Sequence, residues 1–166
     1  MATVTLGGTP FAISGDVPAT GDAAPDFTLT GGDLGDISLG DYAGRHLVLN
    51  IFPSVDTPVC AASVRRFNEE AAALEGVSVL CVSRDLPFAH GRFCAAENIE
   101  AVSCASEMRD GSFGDAYGVR ITAGPLNGLL ARAVVVVDGD GQVRHSQLVP
   151  EIKEEPDYDA ALAACS

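Results

Sequence analysis

The run His46–Phe52 (HLVLNIF) sets the strongest limit on how this chain folds. It is dense in apolar and β-branched residues and is stopped by Pro53, so it reads as a buried central strand. Ser54 to Pro58 must then be a connecting loop, after which the pattern changes period. Val59, Ala62, Ser63, Arg66, Phe67, Glu70, Ala71 and Leu74 follow helical spacing. Thr57 stands where an N-cap belongs, Pro58 takes the first helical position, where its missing N–H costs nothing, and Gly76 supplies the stop.

The same two signals alternate to the end of the chain. Val77–Ser83 reads as a second buried strand, Phe88–Glu97 as a shorter helix, Ala101–Cys104 as a short strand and Phe113–Tyr117 as a helical turn. Ala133–Val137 and Gln142–Val149 flank Asp138-Gly139-Asp140-Gly141, a hairpin signal, and Pro156-Asp157 opens a last helix to Ala164. Ahead of the central strand, Val4–Leu6 and Phe11–Ile13 flank Gly7-Gly8-Thr9-Pro10, and Phe27–Thr30 and Ile37–Leu39 flank Gly31-Gly32. Strands alternating with helices describe a small α/β layered domain. A calcium-loop reading of the DGDG step fails, because the twelfth position is Val149, where a bidentate Glu is needed.

At 166 residues the chain suits one domain, residues 1–166, with 1–22 as an N-terminal hairpin extension. Ten Lys and Arg against 23 Asp and Glu give a net charge of −13, which would be repelled by nucleic acid and by an anionic membrane. The longest apolar stretch, Leu129–Val137, is too short to span a bilayer and contains Arg132. The first basic residue is Arg45, so a basic n-region of a signal peptide is missing and a cytoplasmic location is expected.

Cys60, Cys81, Cys94, Cys104 and Cys165 show no CxxC step, and His46, His90 and His145 are scattered, so no metal and no cofactor is expected. Cys60 has the most informative position, in the first turn of the helix after the central strand. Free N–H groups and the positive end of the helix dipole favour an anion there, and the thiolate is the reactive form of cysteine. Lowering a thiol pKa from ~8.5 to ~6 takes about 3.4 kcal/mol, whereas a helix terminus supplies ~0.3–1 kcal/mol. A cation or several directed hydrogen bonds must add the rest. Arg132, interrupting an apolar run, either reaches a Cys60 thiolate or meets a surface carboxylate. Cys60 itself is either that nucleophile or an inert filler between helix and sheet.

The segment Pro53-Ser54-Val55-Asp56-Thr57-Pro58-Val59-Cys60 resembles the Pro-x-x-x-Thr-x-x-Cys loop of peroxiredoxins. Asp56–Val64 (DTPVCAASV), Arg84–Pro87 (RDLP) with Arg92-Phe93-Cys94, Gly128–Asp138 (GLLARAVVVVD) and Leu148–Ala161 (LVPEIKEEPDYDAA) narrow the resemblance to the bacterial thiol peroxidases, atypical two-cysteine members of that family. The resemblance implies a thioredoxin-like fold, a central mixed β-sheet flanked by helices, and hydroperoxide reduction without metal, haem or flavin. It implies Cys60 as the peroxidatic cysteine, Thr57 hydrogen-bonding thiolate and peroxide, Arg132 orienting both, and Pro53 shielding the pocket. Cys94 matches the resolving cysteine, condensing with the Cys60 sulfenic acid into an intramolecular disulfide. Thioredoxin or a similar dithiol would recycle it, and a homodimer is implied. Cys81 reads as core, while Cys104 and Cys165 carry no motif. Two other readings stay open: a redox sensor or relay that oxidises a partner protein, and an inactive binding module.

Overall fold

A computed structural model describes residues 2–165. Its core is a mixed sheet of seven strands in the order β4-β3-β7-β6-β5-β8-β9. These are β3 (Thr28–Thr30), β4 (Asp36–Ser38), β5 (His46–Ile51), β6 (Val77–Ser83), β7 (Ser103–Ser106), β8 (Ala133–Val137) and β9 (Val143–Leu148). Strands β5, β6 and β7 run parallel, and the outer pairings are antiparallel. A separate hairpin is formed by β1 (Thr3–Leu6) and β2 (Thr9–Ala12). The helices are α1 (Pro58–Ala71), α2 (Pro87–Ala96), α3 (Ser112–Ala116) and α4 (Tyr158–Ala163).

The period-two alternation of a strand decides which core each residue joins. Leu47, Leu49 and Ile51 of β5, with Ala133, Val135 and Val137 of β8, face one layer, built on Phe27, Phe113 and Tyr117 and closed by Val4 and Ile13 of the N-terminal segment. Val48 and Phe52, with Val134 and Val136, face the opposite layer, where Val64 and Phe67 of α1, Phe93 of α2 and Tyr158 of α4 pack. Phe67 and Tyr158 meet edge to face at 5.2 Å, which seats α4 against α1. No helix among the described residues is long and apolar enough to cross a membrane.

The expected elements are present, with shifted ends that have physical causes. Gly7 and Gly8 both have positive φ, so they close the first hairpin as a two-residue turn and leave Thr9 and Pro10 in the strand. Helix α1 stops at Ala71 rather than running on towards Gly76. The parallel register of β5 and β6 pairs His46 with Val77, so residues 72–76 must turn the chain, and Gly76 does so at φ 70°. The strand expected over Ala101–Cys104 begins instead at Ser103, because the Asn68 side chain captures the N–H groups of Glu100 and Ala101 at 3.2 and 2.8 Å.

The hairpin is fastened to the main body by Glu151, whose carboxylate accepts from Gly8 N at 2.9 Å, Thr5 Oγ1 at 3.0 Å and Lys153 N at 2.9 Å. Backbone hydrogen bonds to Lys153 and Gly8 hold this carboxyl below its ordinary value of 4.5, at about 2. A depressed carboxyl stabilises the fold above its unfolded value, and that contribution is lost as pH falls from 4.5 towards 2. Glu151→Ala should therefore speed hydrogen exchange of the Thr5 and Gly8 amides at neutral pH, while β5 and β6 amides keep wild-type protection. Wild type should show the same selective loosening below pH 4.5; uniform protection in both tests would show that Glu151 does not fasten the hairpin.

Candidate active site

Cys60 is the third residue of α1, and its side chain is fully buried. Pro58 has no N–H, so the first-turn amides of Val59 and Cys60 are left without helical acceptors. Thr57 has the extended backbone of an N-cap but makes no side-chain cap. Its hydroxyl instead donates to Ser54 O at 2.9 Å, tightening the loop that leads into the helix. The N-capping role expected for the Thr57 side chain is thus absent.

Of the two readings left open for Arg132, the one towards sulfur holds. Arg132 precedes β8 and shares the parity of Val134 and Val136, so the alternation turns it towards α1 and away from solvent. It is 1% exposed. Its Nη2 donates to Cys60 Sγ at 3.2 Å, and Nε and Nη2 both donate to Ile152 O, at 3.0 and 2.9 Å. Nη1 is buried with no partner. Arg132 forms no ion pair with a carboxylate among the described residues. A buried guanidinium without a counter-ion costs several kcal/mol, so the site favours an anion at Sγ or at Nη1.

Arg132 opens onto a cavity of about 270 Å³. Leu6, Pro53, Val59, Leu126, Leu129 and Ile152 give it apolar walls, and Ser54, Thr57 and Lys153 complete the lining. Pro53 and Thr57 therefore share one cavity with Arg132, and Arg132 touches Cys60. The structure brings together four of the five residues singled out in the sequence. Cys94 is elsewhere, on α2, with its Sγ 3.8 Å from Cys104 Sγ on β7. All five cysteines are free thiols, and no disulfide or hydrogen bond joins Cys60 to Cys94 among the described residues.

Several further participants had no role assigned from the sequence. Asp85 accepts from Ser54 Oγ at 2.7 Å, Val55 N at 2.9 Å and Ser83 Oγ at 2.6 Å, so one carboxylate clasps the Cys60 loop to the end of β6. A hydroxyl has one proton, and Ser83 gives it to Asp85, so the 2.8 Å contact with His90 Nε2 has the imidazole donating. Burial lowers the His90 pKa despite the opposing Asp85 charge, which keeps that ring neutral at pH 7. Arg92 of α2 reaches Asp56 Oδ1 at 2.7 Å, a second tie between the loop and the helix that carries Cys94. Asp85 lies inside the RDLP block, but only the folded chain shows what it holds. The Ile152 carbonyl that aims Arg132 is a backbone group without any residue-type signature.

The remaining thiols differ in character. Burial pushes the Cys165 thiol up to about 11, and its Sγ donates to Ala161 O. Cys81 is buried in β6 beside Asn50, which also donates to Ser63 Oγ. No three His, Cys, Asp or Glu side chains converge as a metal site among the described residues.

Replacing Asp85 by Ala strips the clasp of its acceptor, and hydrogen bonds to a charged group are worth about 1.5–3 kcal/mol each. Equilibrium urea unfolding of Asp85→Ala should show a loss of at least about 1.5 kcal/mol. An unfolding curve superimposable on wild type would show that the clasp carries no stability.

With this geometry in place, similarity to other proteins is informative. Residues 19–162 match the Redoxin family. The chain is 60% identical over 164 residues to a thiol peroxidase of Mycobacterium tuberculosis, covering 99% of this chain and 98% of that protein. It is 56% identical to a thiol peroxidase of Corynebacterium glutamicum, covering 99% of each. Among solved structures, a peroxiredoxin-like protein from Aquifex aeolicus superposes with a TM-score of 0.93 at 44% identity, over 98% of this chain and 95% of that one.

Proposed function

Since the chain belongs to the redoxin family and, within it, to the thiol peroxidases, we propose that it reduces hydrogen peroxide and organic hydroperoxides with Cys60 as nucleophile. The observation that carries this reading is the buried Arg132 guanidinium, bound to Sγ on one side and to no carboxylate on the other. A thiolate at Cys60 would supply the missing negative charge. The unpartnered Nη1 would donate to a peroxide oxygen as negative charge grows on it.

In this mechanism the Cys60 thiolate attacks the terminal peroxide oxygen, forming S–O and breaking O–O. The distal oxygen leaves as hydroxide or alkoxide and takes a proton, and Cys60 becomes a sulfenic acid. The Thr57 hydroxyl, held by Ser54 O, orients its lone pairs into the same cavity to receive the peroxide proton. Pro53 forms part of the wall that excludes water. The apolar lining accommodates an alkyl group as readily as a second hydrogen.

Cys94 then displaces water from the sulfenic acid, forming the Cys60–Cys94 disulfide. The two thiols sit unbonded on different helices, so the first turn of α1 or α2 must open for this step. Helix α2 is suited to opening, since it is short and carries Gly91 in its interior, worth about 1 kcal/mol of lost helix stability. A dithiol such as thioredoxin would return the enzyme to its reduced form. Exposed Leu86 and Phe88, at the start of α2, support the further reading that two copies pair near the site.

Cys60→Ser should abolish hydroperoxide consumption in stopped-flow assays. Cys94→Ser should perform one fast turnover and then stall with thioredoxin present. Continued cycling of Cys94→Ser would remove Cys94 from the resolving role, and turnover by Cys60→Ser would overturn the mechanism.

A further inference from the structure

Cys104 carried no motif, yet it is the sulfur nearest to Cys94. Helix α2 packs on β7, and the two Sγ atoms lie 3.8 Å apart in the reduced fold. Both residues line a cavity of about 400 Å³ with His90, Gly91 and Ser103, capped by the turn at Asp33. This cavity shares no lining residue with the one at Arg132. The fold thus places a thiol pair at an opening of its own, away from the peroxide pocket.

Resting on the reading of Cys94 as the resolving residue, we propose that Cys104 is a third redox residue, which takes the disulfide from Cys60. The Cys104 thiolate attacks Cys94 Sγ in the Cys60–Cys94 disulfide. The Cys94–Cys104 bond forms, the Cys60–Cys94 bond breaks, and Cys60 departs as a thiolate while the Cys104 proton passes to solvent. Oxidation state is conserved within the chain, because one disulfide replaces another, and the oxidising equivalent came from the hydroperoxide.

Two physical features drive the exchange forward. A thiolate leaves faster when its charge is stabilised, and Arg132 waits to receive the Cys60 sulfur. The Cys60–Cys94 bond also requires a helix to stay open, whereas Cys94 and Cys104 are already neighbours in the closed fold. Exchange therefore lets the opened helix turn re-form. Contact with Cys81, and burial, push the Cys104 thiol above its ordinary value, so that exchange follows resolution as a slower step. The disulfide that reaches the reductant then lies in the solvent-open cavity beside α2.

The test uses the full, reduced chain without reductant, as wild type, Cys104→Ser and Cys60→Ser. Samples treated with peroxide are alkylated at intervals and their disulfides mapped by mass spectrometry. With one equivalent, wild type should pass from Cys60–Cys94 to Cys94–Cys104, with Cys60 again alkylatable. With excess, wild type should consume about two equivalents in its fast phases and Cys104→Ser about one, holding Cys60–Cys94. Persistence of Cys60–Cys94 in wild type overturns the relay and leaves the resolving role of Cys94 intact. Absence of a Cys60–Cys94 disulfide from both wild type and Cys104→Ser overturns that role and the relay with it. Formation of Cys94–Cys104 in Cys60→Ser at the wild-type rate would show direct oxidation and overturn the transfer route.

Discussion

A buried guanidinium with no carboxylate beside it is the constraint around which this molecule is arranged. Arg132 is buried because strand alternation turns it inward, and it is aimed because both its Nε and Nη2 are held by the Ile152 carbonyl. In an interior of low polarity, a cation so placed must find negative charge or weaken the fold. The group within reach is the Cys60 sulfur at 3.2 Å, delivered by the first turn of α1. The helix terminus adds a smaller contribution, since its amides favour an anion by ~0.3–1 kcal/mol. In the proposed mechanism, reactivity at Cys60 would be the relief of an electrostatic cost already present in the folded state.

The surroundings divide into a rigid part and a part that must yield. The cavity at Arg132 lies where Pro53 follows β5 and Arg132 precedes β8, two strands whose side chains are almost wholly buried. The loop above it is fixed through Asp85 and Arg92 to the segment that carries Cys94. Helix α2, short and interrupted by Gly91, is the weak element. In the proposed mechanism, oxidation at Cys60 would meet a site fixed for the first step and a neighbouring helix loose enough for the next. Asp85 ties the loop to the segment that leads into α2.

Much of this was legible in the sequence because it rests on periodicity. The β5 run and the Pro58 start of α1 can be read from spacing, whereas spacing left Arg132 open between the Cys60 sulfur and a surface carboxylate, which the fold decides. The thiol peroxidase membership followed from blocks of adjacent residues. What escaped notice depends on contacts between distant segments. Thr57 reads as a cap, but its hydroxyl is drawn to Ser54 O by the tight loop. Asn68 shifts the start of β7 by taking two amides from it. Cys104 gains meaning only when α2 lies down on β7 and brings Cys94 to it. The Ile152 carbonyl has no residue type to betray it.

The central claim is that Arg132 holds the Cys60 sulfur as an anion and receives the growing charge on the leaving oxygen. It is tested most directly by the second-order rate of peroxide reduction in a single turnover, compared among wild type, Arg132→Lys and Arg132→Gln. Losing one such donor typically costs about 10²–10³ in rate. Arg132→Gln should fall at least that far, and Arg132→Lys, which keeps the charge but loses the fork of donors, should lie between. Correctly folded Arg132→Gln that reacts at the wild-type rate would contradict the account.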